Sequence, residues 1–409
     1  MKIRSIEARP ILDSRGLWTI EVALTLANGV RAVASVPQGK STGSSEAVAL
    51  PADAAARAVN RIIAKSTSGK TFASQAAFDA RLIALDGTPD KSKLGANAVL
   101  AASIAFLRAS SVARHRQLWR EIWSELSDSN SAVHPALQPR RPHLRLFMNM
   151  VNGGLHAGNN LRFQEYLAIP KTDSIRNAID IGTRLYRELG DELARRRGPG
   201  ARNIGDEGGY APDFADDLEP FRIMRAAVRR LKLGAAFDYG LDAAATDIRT
   251  PEQKIGGRDV IVRQYESLTR TSDFIYLEDP FDENAFDRFA EFASRIRLRR
   301  PSGRPLWISG DDLTTTNVGR MERAYAAGSV NAVIIKPNQI GSVTEALDAV
   351  RAARRYGWGV IVSHRSGETN DDFIADFAWG VGADGLKLGA PARGERIAKY
   401  NRLLEIAAA

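Results

Sequence analysis

The sequence predicts an α/β protein, an N-terminal α+β domain followed by a barrel of βα units, on three observations. Six hydrophobic runs in the second half, Phe237 to Leu241, Phe274 to Leu277, Pro305 to Gly310, Ala332 to Ile335, Gly359 to Ser363 and Gly385 to Leu386, are separated by helix-length segments, the alternation expected of parallel βα units. Each run ends in a charged residue or cluster: Asp242, Glu278, Asp311, Lys336, His364 with Arg365, and Lys387. Strand C-termini of such a barrel converge on one face, so these side chains are expected to share one pocket. The first segment, by contrast, reads as strands followed by helices.

In chain order, Ile3 to Ile11 and Thr19 to Leu26 read as extended, Gly29 to Ser35 returns after an Asn-Gly turn, and helical pattern begins near Glu46. Around Ser127 to Pro142 the sequence SDSNSAVHPALQPRRP loses periodicity and gathers Ser and Pro, as linkers do. The expected division is therefore a domain over 1–126, a linker over 127–142 and a barrel over 143–409. Strands at Leu144 to Met150 and Phe163 to Ile169, then helices at Ser174 to Arg197 and Asp216 to Leu231, precede the six βα units. The barrel is thus expected to open with two strands and two helices.

A chain of 409 residues at 44% hydrophobic composition can bury a large core. No apolar stretch is expected to approach the roughly 18 residues that span a bilayer, and Met1 to Gly16 carries charges where a signal peptide is apolar. These features predict a cytoplasmic protein without a membrane partner. Zero cysteines exclude disulfides, thiolate metal sites and a cysteine nucleophile. The net charge of +9 and pI near 9.8 raise the question of nucleic acid. Yet Arg195 to Arg197, Arg229 with Arg230, Arg295 to Arg300 and Arg354 with Arg355 are dispersed, without interleaved aromatics or a zinc-finger spacing. Solvated helix faces are the expectation, and no nucleic-acid partner.

Asp242, Glu278 and Asp311 are hard oxygen donors of the kind that hold Mg2+ while leaving positions for water and substrate. Any one of them could instead cap the next helix, but three in successive units, with Asp279 and Asp312 beside them, favour a metal. Lys336, near metal ions and partly desolvated, is expected to have its pKa lowered enough to act as a general base; its alternative is a structural ion pair. Arg365 and Ser366, in the run SHRSGET, suit a phosphate group. The glycine-rich GDEGG, Gly205 to Gly209, displays Asp206 and Glu207, and Glu207 is a candidate proton donor. The opening strands add Gln164 and Glu165, and NGGLHAGNN adds His156, which alone reads as a structural histidine. Gly39 to Thr42, GKST, resembles the end of a P-loop but lacks the first glycine of GxxxxGK(S/T). A mobile loop whose Ser41 and Thr42 reach a metal or phosphate is the better reading.

From about Ile3 to Ile406 the chain resembles the enolase family, through ILDSRG, STG, LDGTPDKSKLGANA, NGGLHA, FQEY, GDEGGYAPD, LEDP, GDDL with TN, IIKPNQIGSVTEA, SHRSGET, DFIADFA and KLGAPARGERIAKYN. The resemblance implies an N-terminal α+β domain packed on an atypical ββαα(βα)6 TIM-like barrel. It implies a Mg2+-dependent hydro-lyase, phosphopyruvate hydratase, that converts 2-phosphoglycerate to phosphoenolpyruvate with two Mg2+ per site. By motif, Asp242, Glu278 and Asp311 would hold the tighter ion and Ser41 would contribute to the second. Lys336 would take the C2 proton, and Glu207, supported by Glu165, would protonate the departing C3 hydroxyl. A carboxyl crowded by another can keep its proton near neutral pH, and Glu207 is expected to do so. Lys387 and Gln164 would lie near the substrate carboxylate and metals, Arg365 and Ser366 on the phosphate, and His156 and His364 beside it. A lysine base working with Mg2+ is the pattern of the wider enolase superfamily.

The chain also departs from that pattern. The usual PSGASTG is PQGKSTG here, adding Gln38 and Lys40 to a loop expected to close over substrate. The segment between Asp242 and Glu278 is short, Pro337 follows the candidate base, and Leu17 with Trp18 replaces Asn-Pro. Enolases are typically homodimers joined by Arg to Glu pairs; by position Arg9 would face Arg184 and Glu21 would face Glu405, so a homodimer is expected only with re-paired charges. The basic Lys40 raises an alternative, a paralogue resembling carboxyphosphonoenolpyruvate synthase that dehydrates a related phosphonate or phosphate. A non-catalytic RNA- or protein-binding homologue is a third possibility, opposed by the complete set of acid, base and metal ligands.

Overall fold

The computed structural model describes residues 1–40, 42–127, 144–248, 257–299 and 306–409. Strands β1 (Ile3–Leu12), β2 (Trp18–Leu26) and β3 (Arg31–Ser35) form an antiparallel meander in that order. Asp13 makes the first turn by accepting from the amides of Arg15 (2.8 Å) and Leu17 (3.0 Å), with Gly16 in the left-handed region. Behind the sheet lie α1 (Ala52–Ala58), a π-type turn Val59–Ile63, α2 (Ala64–Thr67), α3 (Gln75–Asp86), α4 (Ala96–Ala113) and α5 (Leu118–Ser127).

Two expectations need correction here. Helix begins at Ala52, not near Glu46, because the intervening amides go to distant partners: Ala47 to the Gln339 carbonyl (2.8 Å), Val48 to that of Asp90 (2.7 Å) and Leu50 to Asn97 Oδ1 (3.1 Å). An apolar stretch of spanning length does exist, since α4 runs 18 residues at mean hydropathy 1.4. It is 78% buried within the fold, as a core helix should be, with Phe106 stacked on Phe78 at 4.3 Å. The expected linker, apart from Ser127 at the end of α5, lies outside the described residues.

The barrel closes in the order β10, β11, β4, β5, β6, β7, β8, β9. Its strands are β4 (Arg145–Asn152), β5 (Glu165–Pro170), β6 (Phe237–Asp242), β7 (Phe274–Glu278), β8 (Trp307–Gly310), β9 (Ala332–Ile335), β10 (Gly359–Ser363) and β11 (Gly385–Lys387). Strand β5 runs antiparallel to both neighbours, and the other pairs are parallel. Two helices, α6 (Ile175–Arg197) and α7 (Glu219–Arg230), separate β5 from β6, so the expected two-strand, two-helix opening is present.

A plug of Phe147, Leu167, Ile169, Ile275, Tyr276, Ala332, Ile334 and Ile361 fills the barrel interior, with Trp307 against it. Strand side chains alternate between faces with period two. The next inward position beyond the plug is therefore Glu165 on β5 (from Leu167), Glu278 on β7 (from Tyr276) and Lys336 after β9 (from Ile334). Hydrophobic filling sets the floor, and the polar site stands one layer above it.

Candidate active site

Because β5 is inverted, its first residue reaches the face that the parallel strands reach with their last. The register pairs Glu165 with Asp242 and Asp242 with Glu278, so three buried carboxylates sit side by side. Lys387, closing β11, reaches across with Nζ 2.8 Å from Glu278 Oε2 and 3.2 Å from both Asp242 Oδ2 and Glu165 Oε2. One ammonium cannot neutralise three anions. Burial, followed by mutual repulsion, pushes Asp242 up to about 7 and Glu278 and Glu165 up to about 8, against the pull of Lys387. Burial favours the neutral form of Lys387 too, but the three carboxylates outweigh it and hold its proton firmly.

On the opposite wall, Asp311 binds Lys336 Nζ with one oxygen and accepts from Gln339 Nε2 (2.8 Å) with the other. The lysine was expected to be lowered toward neutrality. Burial is the largest single effect and pulls it down, but the carboxylates around it, Asp311 first, together outweigh it and its net shift is upward. Asp279, in the left-handed region, spends its oxygens on the amides of Asp311 (3.1 and 3.2 Å) and Asp312 (2.8 Å). It shapes the turn that presents Asp311 and has little capacity left for a ligand.

Glu207 lies between two imidazoles, 3.4 Å from His156 Nδ1 and 3.5 Å from His364 Nε2, and accepts from Asn149 Nδ2 at 3.0 Å. Arg396 donates to His364 Nδ1 at 2.7 Å, which leaves the ring proton on Nε2, facing Glu207. Burial takes His364 down to about 3, so this imidazole is neutral. Burial alone would raise Glu207. The two facing rings and Arg396 behind them instead hold it well below the usual carboxylate range. The proton expected on Glu207 therefore resides on Glu165, whose oxygen lies within 4.8 Å of it.

Arg365, buried, is gripped by both oxygens of Glu46 from the N-terminal domain (2.9 and 3.0 Å), and Ser366 Oγ accepts from the Lys40 amide at 2.8 Å. Lys40 Nζ binds Asp206 Oδ2 at 2.9 Å. His156, Gln164, Glu165, Glu207, Asp242, Asp311, Lys336, His364, Arg365 and Ser366 all line one cavity. Lys387 and Glu278 stand behind that lining, where Lys387 binds Asp242 and Glu165 of the lining and Glu278 beside them. Ser41 lies outside the described residues.

The lysine–carboxylate contacts leave about 20 Å³ of free room, enough for about one water. Buried atoms without a hydrogen-bond partner include Gln164 Oε1, His156 Nδ1 and His364 Nε2 in its lining and Glu278 Oε1 beside it. Such a cluster marks a site built for a polar ligand. Hard oxygens crowded enough to be partly protonated, one of them without a partner, fit a divalent cation. Among the described residues, the two groups whose ligand atoms come within 4.8 Å are His156, Glu165 and Glu207, and Asp279, Asp311 and Asp312. The expected trio of Asp242, Glu278 and Asp311 is held wider, with Lys387 between Asp242 and Glu278 and Asp311 bound to Lys336.

Several contributors escaped the sequence reading. Asn149 stands one inward position beyond Phe147 and could have been found by that period. Gln339, Glu46 and Arg396 act across 28, 319 and 32 residues of chain, and no local pattern announces them. The segment after Lys336 is also a domain joint. Ser342 caps α8 (Val343–Arg355) by accepting from the Glu345 amide, while Glu345 binds Lys91 and the Thr344 amide binds Asp79.

Comparison with known proteins shows the family of both domains. Residues 3–122 match the family model "Enolase, N-terminal domain" and residues 145–409 match "Enolase, C-terminal TIM barrel domain". A protein named enolase from Solanum lycopersicum is 37% identical over 99% of this chain and 94% of its own length. Proteins of the same name from Methanopyrus kandleri and Metallosphaera sedula are 39% and 36% identical, each over 99% of this chain and 95% of theirs.

Proposed function

The chain belongs to the enolase family, and from that premise we propose that it is a phosphopyruvate hydratase, dehydrating 2-phosphoglycerate to phosphoenolpyruvate. The observation that carries this reading is the placement of base and acid. In the eight-strand ring β9 and β5 lie four strands apart, so Lys336 and the Glu165–Glu207 pair face the cavity from opposite walls. Lys336 Nζ takes the C2 proton, that bonding pair becomes the C2–C3 double bond, and the C3 hydroxyl leaves as water with a proton that Glu207 delivers as it receives the one held on Glu165. Glu165 holds the proton that the acidic pair supplies. Opposite walls imply that proton and hydroxyl leave from opposite faces of the substrate.

A proton beside a carboxylate is weakly acidic, so the charge left by its removal needs support. Asp242, Glu278 and Asp311 are the residues we assign to Mg2+, with Ser41 toward a second ion; bound Mg2+ supplies positive charge next to the substrate carboxylate. Were Asp311 engaged as a ligand, less negative charge would hold the Lys336 proton. Gln164 and Lys387 then face the substrate carboxylate, Arg365 and Ser366 the phosphate, and His156 and His364 orient Glu207. For Arg365 this requires sharing its guanidinium between Glu46 and substrate.

The paralogue reading rested on a free cation at Lys40, and the pairing of Lys40 with Asp206 weighs against it. The nucleic-acid reading loses support from charge pairing: Arg195 and Arg196 bind Glu192, Arg197 binds Glu219, Arg295 binds Glu266 and Arg354 binds Asp384. A homodimer in the cytoplasm completes the proposal. Its like-charge contacts are eased because Arg9 pairs with Glu21 and Glu405 with Arg402, both at 2.9 Å within the chain. The test is direct: 2-phosphoglycerate and Mg2+ are added and phosphoenolpyruvate absorbance is followed. Turnover that Lys336→Ala abolishes is expected; no turnover by the folded, Mg2+-loaded wild type would sink the assignment.

A further inference from the structure

Lys40 joins three segments of the site. Residues Gln38 to Lys40 come from the N-terminal domain, and the backbone of Gln38 exchanges two hydrogen bonds with Gly367 (2.8 and 3.0 Å), while Arg15 donates to the Gln38 carbonyl at 3.1 Å. The Lys40 amide then donates to Ser366 Oγ at 2.8 Å, and its Nζ binds Asp206 Oδ2 at 2.9 Å. Among the described residues, that ion pair is the one polar link between residues 36–43 and the glycine-rich loop 205–209 that carries Glu207. The main chain already anchors Gln38 to the Ser366 side. The Lys40 side chain extends this loop's connection to the acid side, beside Arg396, which donates to the carbonyls of Ser366 (2.6 Å) and Asp206 (3.3 Å), and Arg393, which donates to those of Ser14 (2.7 Å) and Gly205 (3.4 Å).

We propose that Lys40 is a positioning residue for the reaction, a latch whose bond to Asp206 ties the N-terminal loop to the Glu207 loop and so sets that loop against the two walls that Arg396 already joins. This rests on the enolase reading of the site and goes beyond it. An alanine, the family's usual residue here, has no side chain that could make the bond. Lys40 is 43% and Asp206 26% exposed in their side chains, so the pair is screened by salt and its effect is modest, about 2–5-fold.

The experiment compares wild type, Lys40→Ala, Lys40→Arg, Asp206→Asn and the Lys40→Ala/Asp206→Asn double variant. It measures kcat and KM for 2-phosphoglycerate with Mg2+ at low and high KCl, and amide hydrogen exchange of residues 36–40 in the Mg2+-free proteins. A latch predicts that both single variants raise KM about 2–5-fold in the same direction, that the double is no worse than the worse single, and that Lys40→Arg stays near wild type. High salt moves wild type toward the variants, and exchange at 36–40 quickens in Asp206→Asn. Direct contact of Lys40 with substrate predicts the opposite for Asp206→Asn, since a released lysine would lower KM. That result, additive effects, or unchanged exchange overturns the latch. Should wild type fail to turn over 2-phosphoglycerate, the functional reading fails, and the exchange arm still decides the latch.

Discussion

The floor of the site and its rim are built on different principles. The floor is made by strand ends, where Glu165, Asp242, Glu278, Lys336 and Lys387 each stand above a filled hydrophobic layer and are fixed by the barrel's register. The rim is made by loops from two domains, where Glu46 grips Arg365, Lys40 reaches Asp206 and Arg396 orients His364. On the floor, charges are crowded beyond what their neighbours can neutralise, which favours a ligand that brings charge of its own. On the rim, the charges are matched in pairs. The difference separates roles: the floor supplies reactivity, and the rim supplies position.

The comparison breaks first at the base. Lys336→Ala should lower kcat by about 10²–10⁴-fold with little change in melting temperature of the Mg2+-loaded protein, read by steady-state kinetics and thermal unfolding. A comparable loss from a rim residue such as Lys40 would erase the distinction. Next, Lys387→Met leaves three buried carboxylates without their shared cation and should destabilise the chelated protein by about 3 kcal/mol. The loss should be larger at pH 8.5 than at pH 6, where protons can take the place of the ammonium, and saturating Mg2+ should restore part of it.

A smaller effect follows from the titration of the floor in the wild type. Asp242 at about 7 and Glu278 and Glu165 at about 8 lie above their unfolded-chain values of about 4, so the folded state binds more protons across that window. The stability they contribute is full below about 4 and is lost as pH rises through about 8. His364, lowered to about 3, acts in the other direction, but its effect is complete above about 6.5. Chelated protein should therefore melt at a lower temperature at pH 8.5 than at pH 6.5, while the gain from added Mg2+ grows over the same range as protons leave its ligands. A gain that shrinks with pH would place the cation elsewhere.

The same floor and rim divide what could be read in the chain. Hydrophobic runs of strand length, each closed by a charge, made β6 to β11 and their terminal residues legible, because period-two alternation and barrel closure are local rules. Protonation states were not legible. Lys336 is raised because Asp311 lies against it, and the shared proton sits on Glu165 because two imidazoles face Glu207; both follow from distances that only the fold sets. The start of α1 was misplaced for a related reason, since the amides before Pro51 serve tertiary partners. GKST and Lys40 show the limit most clearly. A lysine beside a binding loop reads as a substrate contact until its partner, 166 residues away, is seen.

The central claim is that proton removal and hydroxyl departure are served by opposite walls, and Glu207→Gln separates them most directly. With 2-phosphoglycerate and Mg2+ in D2O, the variant should still exchange the C2 hydrogen with solvent, through Lys336, while phosphoenolpyruvate formation falls by about 10²–10⁴-fold. Loss of exchange in step with dehydration, in a folded variant that binds Mg2+, would contradict the division of labour.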